Sequence, residues 1–247
     1  MENLMSDNLD KAKFFLETEE YDKAENIFSQ IYDTNSDSPQ AVIGLVICKI
    51  AQSNFEKAQI KAARAYLERL DESMLESEER EEFVANLLEQ TNRYIKKLIK
   101  KFREEANELS KRPAHDNQLY AVKQLSDTTD YMKFLNNNVE KFEEAIEVSS
   151  KVYSLTKYKE DTAYKIVSLH DLVFKSIRDT PQMTGKTLLD AKGLSNLKES
   201  RKKWLERSGK NKSKSTVDPS DSSGCLVLIA TLSGLVGTLF FMLFVIL

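Results

Sequence analysis

The residues from Cys225 to Leu247 form an uncharged and almost wholly apolar stretch, CLVLIATLSGLVGTLFFMLFVIL. A helix rises about 1.5 Å per residue, so this stretch spans roughly 34 Å and can cross a hydrocarbon core of about 30 Å. A helix buried in a water-soluble protein is rarely apolar on every face over such a length. The sequence therefore predicts a single transmembrane helix over residues 225–247.

Two other kinds of apolar terminal segment fit this stretch less well. A secretory signal peptide lies at the N-terminus, where this chain begins with the acidic, amphipathic sequence MENLMSDNLDKAKFF. A C-terminal lipid-anchor signal also ends in an apolar tail, but attachment of that anchor requires secretion, and the N-terminal sequence does not resemble a signal peptide. We therefore expect a tail-anchored membrane protein.

Basic residues outnumber acidic ones just before the apolar stretch. The membrane-proximal basic residues are Arg201, Lys202, Lys203, Arg207, Lys210, Lys212 and Lys214. The positive-inside rule places this side in the cytoplasm, and each cation gains on the order of 1 kcal/mol near anionic lipid headgroups. Trp204, within the same cluster, is a candidate for contact with the membrane interface. The membrane is the inner membrane if the source is bacterial, and the endoplasmic reticulum or outer mitochondrial membrane if it is eukaryotic.

The composition of the remaining chain is that of helices joined by short loops. Charged residues make up 30%, with only 7 Gly and 4 Pro in 247 residues. The formal net charge of -3 lacks the basic excess typical of nucleic-acid-binding proteins. We expect an all-α body and no nucleic-acid partner.

An internal repeat occurs in the first seventy residues. Tyr21-Asp-Lys-Ala24 recurs as Phe55-Glu-Lys-Ala58, at an offset of 34 residues. The pairs that follow at this offset are Phe28 with Ala62, and Ile31 with Ala65. An aromatic residue, a polar pair and a small alanine at this period resemble the tetratricopeptide repeat (TPR) over residues 5–70. The alternative is a short helical hairpin that matches by chance.

The resemblance implies paired helices with a concave surface that binds a peptide or a helix. Polar and aromatic residues on the first helix of each pair are then the candidates for this surface, namely Lys11, Phe15, Gln40 and Lys49. The implied function is a non-enzymatic adaptor that presents a protein-interaction surface at a membrane.

Apolar periodicity predicts further helices downstream of the repeat. We expect helices over 77–112, 118–158, 161–178 and 186–207, with possible breaks of the second at 127–130 and 136–138. Leu88, Ile95 and Phe102 recur every seven residues, which indicates a coiled-coil type of seam. The predicted organisation is TPR-like hairpins in 1–70, a long-helix bundle or irregular solenoid in 71–180, a basic helix and flexible linker in 181–224, and the anchor in 225–247.

Residues with catalytic chemistry are few. His115 and His170 have no cysteine or carboxylate cluster at metal-ligand spacing, and Cys48 lies among apolar residues as a core cysteine would. Gly185-Lys186-Thr187 lacks the upstream glycine of a phosphate-binding loop. We expect no enzymatic activity, cofactor or metal.

The apolar stretch has features that bear on association. Small residues spaced for close helix packing are Ala230, Ser233, Gly234, Gly237 and Thr238, and they favour a homodimer. Cys225, at the cytoplasmic boundary, is a candidate for acylation. One alternative function is a membrane effector whose anchor oligomerises to perturb the bilayer, with the helical body as sensor. A SNARE-like tether fits less well, because its heptads would directly precede the anchor.

Overall fold

The computed structural model describes residues 2–54, 59–110, 120–179 and 192–210, and over these residues the chain is helical without a strand. This confirms the predicted all-α class. The helices are α1 (Glu2–Glu17), α2 (Tyr21–Thr34), α3 (Pro39–Ala51), α4 (Ile60–Leu67), α5 (Ser77–Ser110), α6 (Tyr120–Lys151), α7 (Lys159–Arg178) and α8 (Lys192–Arg207). Single 3-10 turns at Glu72–Met74 and Val152–Ser154 precede α5 and α7.

Helices α1 to α4 pack in chain order, each against the next. Helix α3 has a favourable start, because Pro39 occupies its first turn and the Ser38 Oγ accepts a hydrogen bond from the Ala41 backbone N–H at 3.4 Å. A shared core joins the first three helices, and its members are Ala12, Ala24, Phe28, Ile31, Ala41, Leu45 and Cys48. Cys48 is fully buried, as expected.

The buried face of α4 differs from the one that the repeat predicts. In α2 the pattern residues are buried, namely Ala24, Phe28 and Ile31. Their partners at the 34-residue offset, Ala62 and Ala65, are exposed. Instead α4 buries Ile60, Ala63 and Leu67. The larger aliphatic side chains remove more apolar surface from water than alanine does, and they set the rotation of α4. Residues 55–58 lie outside the described part of the chain.

Helix α5 is the centre of the body and packs against α3, α6 and α7. Its buried face is wider than a single heptad stripe. The buried apolar residues are Phe83, Val84, Leu87, Leu88, Tyr94, Ile95, Leu98, Ile99, Phe102 and Ala106. A helix in a two-stranded coiled coil buries a narrow stripe, whereas a helix with neighbours on several sides buries a wide one. The predicted helix is confirmed and its heptad residues are buried, within a face that is wider than the predicted seam.

Helix α6 continues without interruption through both predicted breaks at 127–130 and 136–138. Asn138 is buried and satisfies its side chain within the helix, since its Nδ2 donates to the Phe134 carbonyl at 2.8 Å. The next turns bury Val139, Phe142 and Ala145. Burial of this apolar face outweighs the weak helix propensity of the asparagine run.

Helix α8 is the basic helix predicted in the 181–224 region, and it belongs to the helical body. It packs against α6 and α7 and buries Leu194, Leu197, Trp204 and Leu205. The helix ends at Arg207, and Gly209 follows with a φ of +64°, a conformation that glycine adopts readily after a helix. The described residues therefore form one compact unit.

No helix within the described residues is both long and apolar enough to cross a membrane. The predicted transmembrane helix over 225–247, its small-residue face and Cys225 lie outside these residues, as do Lys212, Lys214 and His115. These assignments remain predictions from the sequence.

Candidate functional site

A groove lies between α1, α3 and α5, with Tyr21 and Phe28 of α2 also in its lining, and it contains a cavity of about 210 Å³. We call it the α1–α3–α5 groove. The apolar side chains of its lining, which we call its floor, are Leu16, Phe28, Ile43, Ile47 and Phe83. Gly44 also lies in the floor, and without a side chain there the ring of Phe28 reaches into the groove from α2.

Charged side chains line the groove beside its apolar floor. They are Lys13 and Glu17 on α1, with Glu79 and Glu82 on α5. Three carboxylates against one ammonium give the lining an acidic balance. Glu79 lies in the first turn of α5, where the helix dipole favours a negative charge.

Neutral polar groups complete the lining and come from three helices. They are Tyr21, Gln40, Asn86 and Gln90. The Gln90 Nε2 donates to the Tyr21 hydroxyl oxygen at 3.4 Å, which joins α5 to the start of α2. Burial, and then the nearby charge of Glu19, raises the pKa of Tyr21 above its usual value, so the hydroxyl stays protonated.

The size of the cavity decides which class of ligand fits. Pockets for drug-sized molecules measure about 300–1,000 Å³, and this cavity is smaller. The groove therefore suits side chains that project from a peptide better than a free small molecule.

Of the four residues that the sequence proposed for a groove, only Gln40 lines this one. Lys11 is exposed on α1, away from the lining. Phe15 packs against the core of α1 to α3, with Lys23 Nζ 5.2 Å from its ring centre. Lys49 pairs with Glu25 of α2 and is 17% exposed, so it stabilises the α2–α3 contact. The sequence missed the α5 residues because the third wall comes from beyond the repeat.

The membrane-proximal basic residues that the structure describes differ in their surroundings. Arg201 is engaged with Asp171 of α7 at 2.6 Å and is only 15% exposed. Lys202 is exposed, and Lys203 pairs with Glu199 at 3.0 Å.

Two further cations of this group lie over aromatic rings at the end of α8. The Arg207 guanidinium lies 4.6 Å from the ring centre of Trp204, and Lys210 Nζ lies 3.4 Å from that of Tyr164. Trp204 itself is 6% exposed and packs edge-on against Tyr153, with 5.0 Å between ring centres. The interpretation of Trp204 as a membrane-interface residue is wrong for this structure, because the ring lies in the core between α8 and the turn before α7.

His170 holds α8 to α7. Its Nδ1 donates to the Ile166 carbonyl at 2.9 Å, and its Nε2 therefore accepts from the Ser200 hydroxyl at 3.1 Å. The imidazole is fully buried, and burial lowers the pKa of His170 to about 4. A solvent-borne substrate has no access to this pair, so its role is structural. Within the described residues no cluster of three or more potential metal ligands occurs.

Comparison with known proteins gives no relative for this chain. No family model, curated protein or solved structure matches it. The functional argument therefore depends on the geometry of the α1–α3–α5 groove.

Proposed function

We propose that this protein is a non-enzymatic, membrane-anchored adaptor whose α1–α3–α5 groove binds a peptide segment of a partner protein. The observation that carries the proposal is the groove itself, an open cavity lined by both apolar and polar side chains, most of them from α1, α3 and α5. Apolar side chains that enter such a cavity are removed from water, and the polar groups of the lining orient the bound segment.

The helical order supports the same proposal. Helices α1, α3 and α5 supply most of the lining, α2 adds Tyr21 and Phe28, and α4 supplies none of it. A lining that comes mainly from every second helix is what the TPR-like resemblance implies, and the proposal keeps that resemblance. It rests on this arrangement and not on the 34-residue offset, since Ala62 and Ala65 are exposed.

The anchor is the second part of the proposal. Residues 225–247 carry no charge and are long enough to cross a bilayer, and they would hold the groove near a membrane. Extraction of membranes with alkaline carbonate tests this part. The full chain is expected in the membrane pellet and a chain lacking 225–247 in the supernatant; release of the full chain would contradict the anchor.

Filling the groove tests the binding part. Ile43 is half-buried in the floor, so Ile43→Trp places a larger side chain in the cavity. Ala62→Trp adds a larger side chain on the exposed face of α4 and serves as the matched control. We would select peptides from a display library on the full chain in detergent.

The selected peptides are expected to bind the Ala62→Trp chain as they bind the original and to lose at least about tenfold in affinity for Ile43→Trp, which corresponds to about 1.4 kcal/mol. Equal helicity by circular dichroism shows that both variants fold. Failure to select any peptide, or equal binding to the Ile43→Trp chain, would overturn the proposal.

A further inference from the structure

The polar groups of the α1–α3–α5 groove are dominated by hydrogen-bond acceptors. Glu17, Glu79 and Glu82 supply carboxylates, and an ionised carboxylate accepts without donating. Lys13 is the cation in this lining. A ligand that brings donors and positive charge therefore complements the groove, whereas an acidic ligand meets repulsion.

Gln90 adds a further acceptor to this lining. Its side chain lines the cavity and the residue is only 8% exposed. The Nε2 donates to Tyr21, which holds the side chain at the start of α2. Its amide carbonyl oxygen is an acceptor of the same kind as the carboxylate oxygens.

The apolar residues of the lining restrict the donor further. Leu16, Ile43 and Phe83 line the same cavity as the carboxylates. A side chain that complements both kinds of group needs a methylene stem and a cationic tip, which lysine and arginine have. Arginine carries five N–H donors in a planar fork and binds carboxylates with two parallel hydrogen bonds. It therefore satisfies several acceptors at once, where lysine offers a single point charge.

We propose that the α1–α3–α5 groove recognises an arginine side chain of the partner peptide, with its stem on the apolar floor and its guanidinium between Glu79, Glu82 and the Gln90 carbonyl. This inference rests on the proposed peptide-binding function and names the chemistry of its ligand.

The probes are four short-peptide libraries that fix arginine, lysine, leucine or glutamate at the central position. Each is selected on the full chain in detergent. The arginine library is expected to enrich at least about tenfold over the glutamate library, and its binding is expected to weaken as salt rises from about 0.05 M to about 0.5 M, because screening weakens ion pairs.

Neutral substitutions identify the carboxylates responsible. Glu79→Gln with Glu82→Gln is expected to remove the preference for arginine. The matched control is Glu104→Gln with Glu140→Gln, which removes two exposed carboxylates outside the groove and is expected to keep the preference.

The outcomes separate the two proposals. Enrichment of the leucine library, with binding that Ile43→Trp still blocks, overturns the arginine assignment and leaves the peptide groove standing. Equal arginine preference in both double variants also overturns the assignment. Binding of no library overturns the groove and the assignment together.

Discussion

Gly44 on α3 lies directly against the ring of Phe28 on α2. A Cβ at position 44 would come within 2.3 Å of the Phe28 Cε2 atom, far inside van der Waals contact. The absence of a side chain at Gly44 thus lets the two helices approach and lets the Phe28 ring form part of the groove floor. One glycine therefore determines both the α2–α3 packing and the depth of the groove.

Gly44→Ala is expected to lower the free energy of unfolding by about 1–3 kcal/mol, the usual range for overpacking a core. The sign of this change is informative, since a glycine-to-alanine substitution in an unobstructed helix raises the free energy of unfolding by about 0.5–1 kcal/mol. Urea unfolding followed by circular dichroism measures the change. In a chain that already carries Phe28→Leu, Gly44→Ala should lower the free energy of unfolding by less than it does in the original chain. A more stable Gly44→Ala chain would refute the close contact.

The stability of the protein should fall when the pH drops below 6.5. The pKa of His170 is about 4 in the folded chain, against 6.5 for an unperturbed histidine. Between these values the unfolded chain binds a proton that the folded chain excludes, so stabilisation present above pH 6.5 is lost progressively down to pH 4, by about 3 kcal/mol in total.

Urea unfolding at several pH values measures the dependence on His170. His170→Gln is expected to be less stable than the original chain at pH 7.5 but to lose less stability between pH 6.5 and pH 4. Carboxylates contribute to acid unfolding in both chains, so the difference between the two slopes is the measured quantity. Identical slopes would contradict the buried, neutral imidazole.

Cys48 should react with thiol reagents only when the chain unfolds. The side chain is fully buried, and burial raises the pKa of the Cys48 thiol to about 12, so the reactive thiolate is scarce. A Cys225→Ser chain leaves Cys48 as the single thiol. Its modification at pH 8 is expected to be slow in buffer and fast in denaturing urea. Rapid modification of the folded chain would contradict the packing of α3.

Much of the helical pattern follows from the sequence, because its signals are local. Ser38 and Pro39 are residues that favour a helix start, and α3 begins there. The break expected at 136–138 was wrong because distant packing decided it: the turns after Asn138 bury Val139 and Phe142. Local propensity carries no information about such neighbours.

The site was less predictable than the helices, since its walls come from distant parts of the chain. Gln40 was identified because it lies on the first helix of a predicted pair. Glu79 and Gln90 were missed, although the acidic start of α5 is visible in the sequence, because only the tertiary packing of α5 on α3 brings them to the groove. Lys49 was assigned to a groove from its polarity, whereas its pairing with Glu25 is visible only in three dimensions.

Trp204 provides a direct test of the position of α8, because it is the single tryptophan of the chain. Its ring is 6% exposed and packs on Tyr153, so acrylamide should quench its fluorescence weakly in the folded protein and strongly in urea. After reconstitution of the full chain, vesicles of zwitterionic lipid and vesicles that also contain anionic lipid should give the same emission maximum. Quenching by brominated lipid would instead show that the ring enters the membrane interface, and would mean that α8 leaves α7 at the bilayer.

Because Arg207 covers the same ring at 4.6 Å, Arg207→Ala is expected to increase acrylamide quenching modestly without any response to brominated lipid.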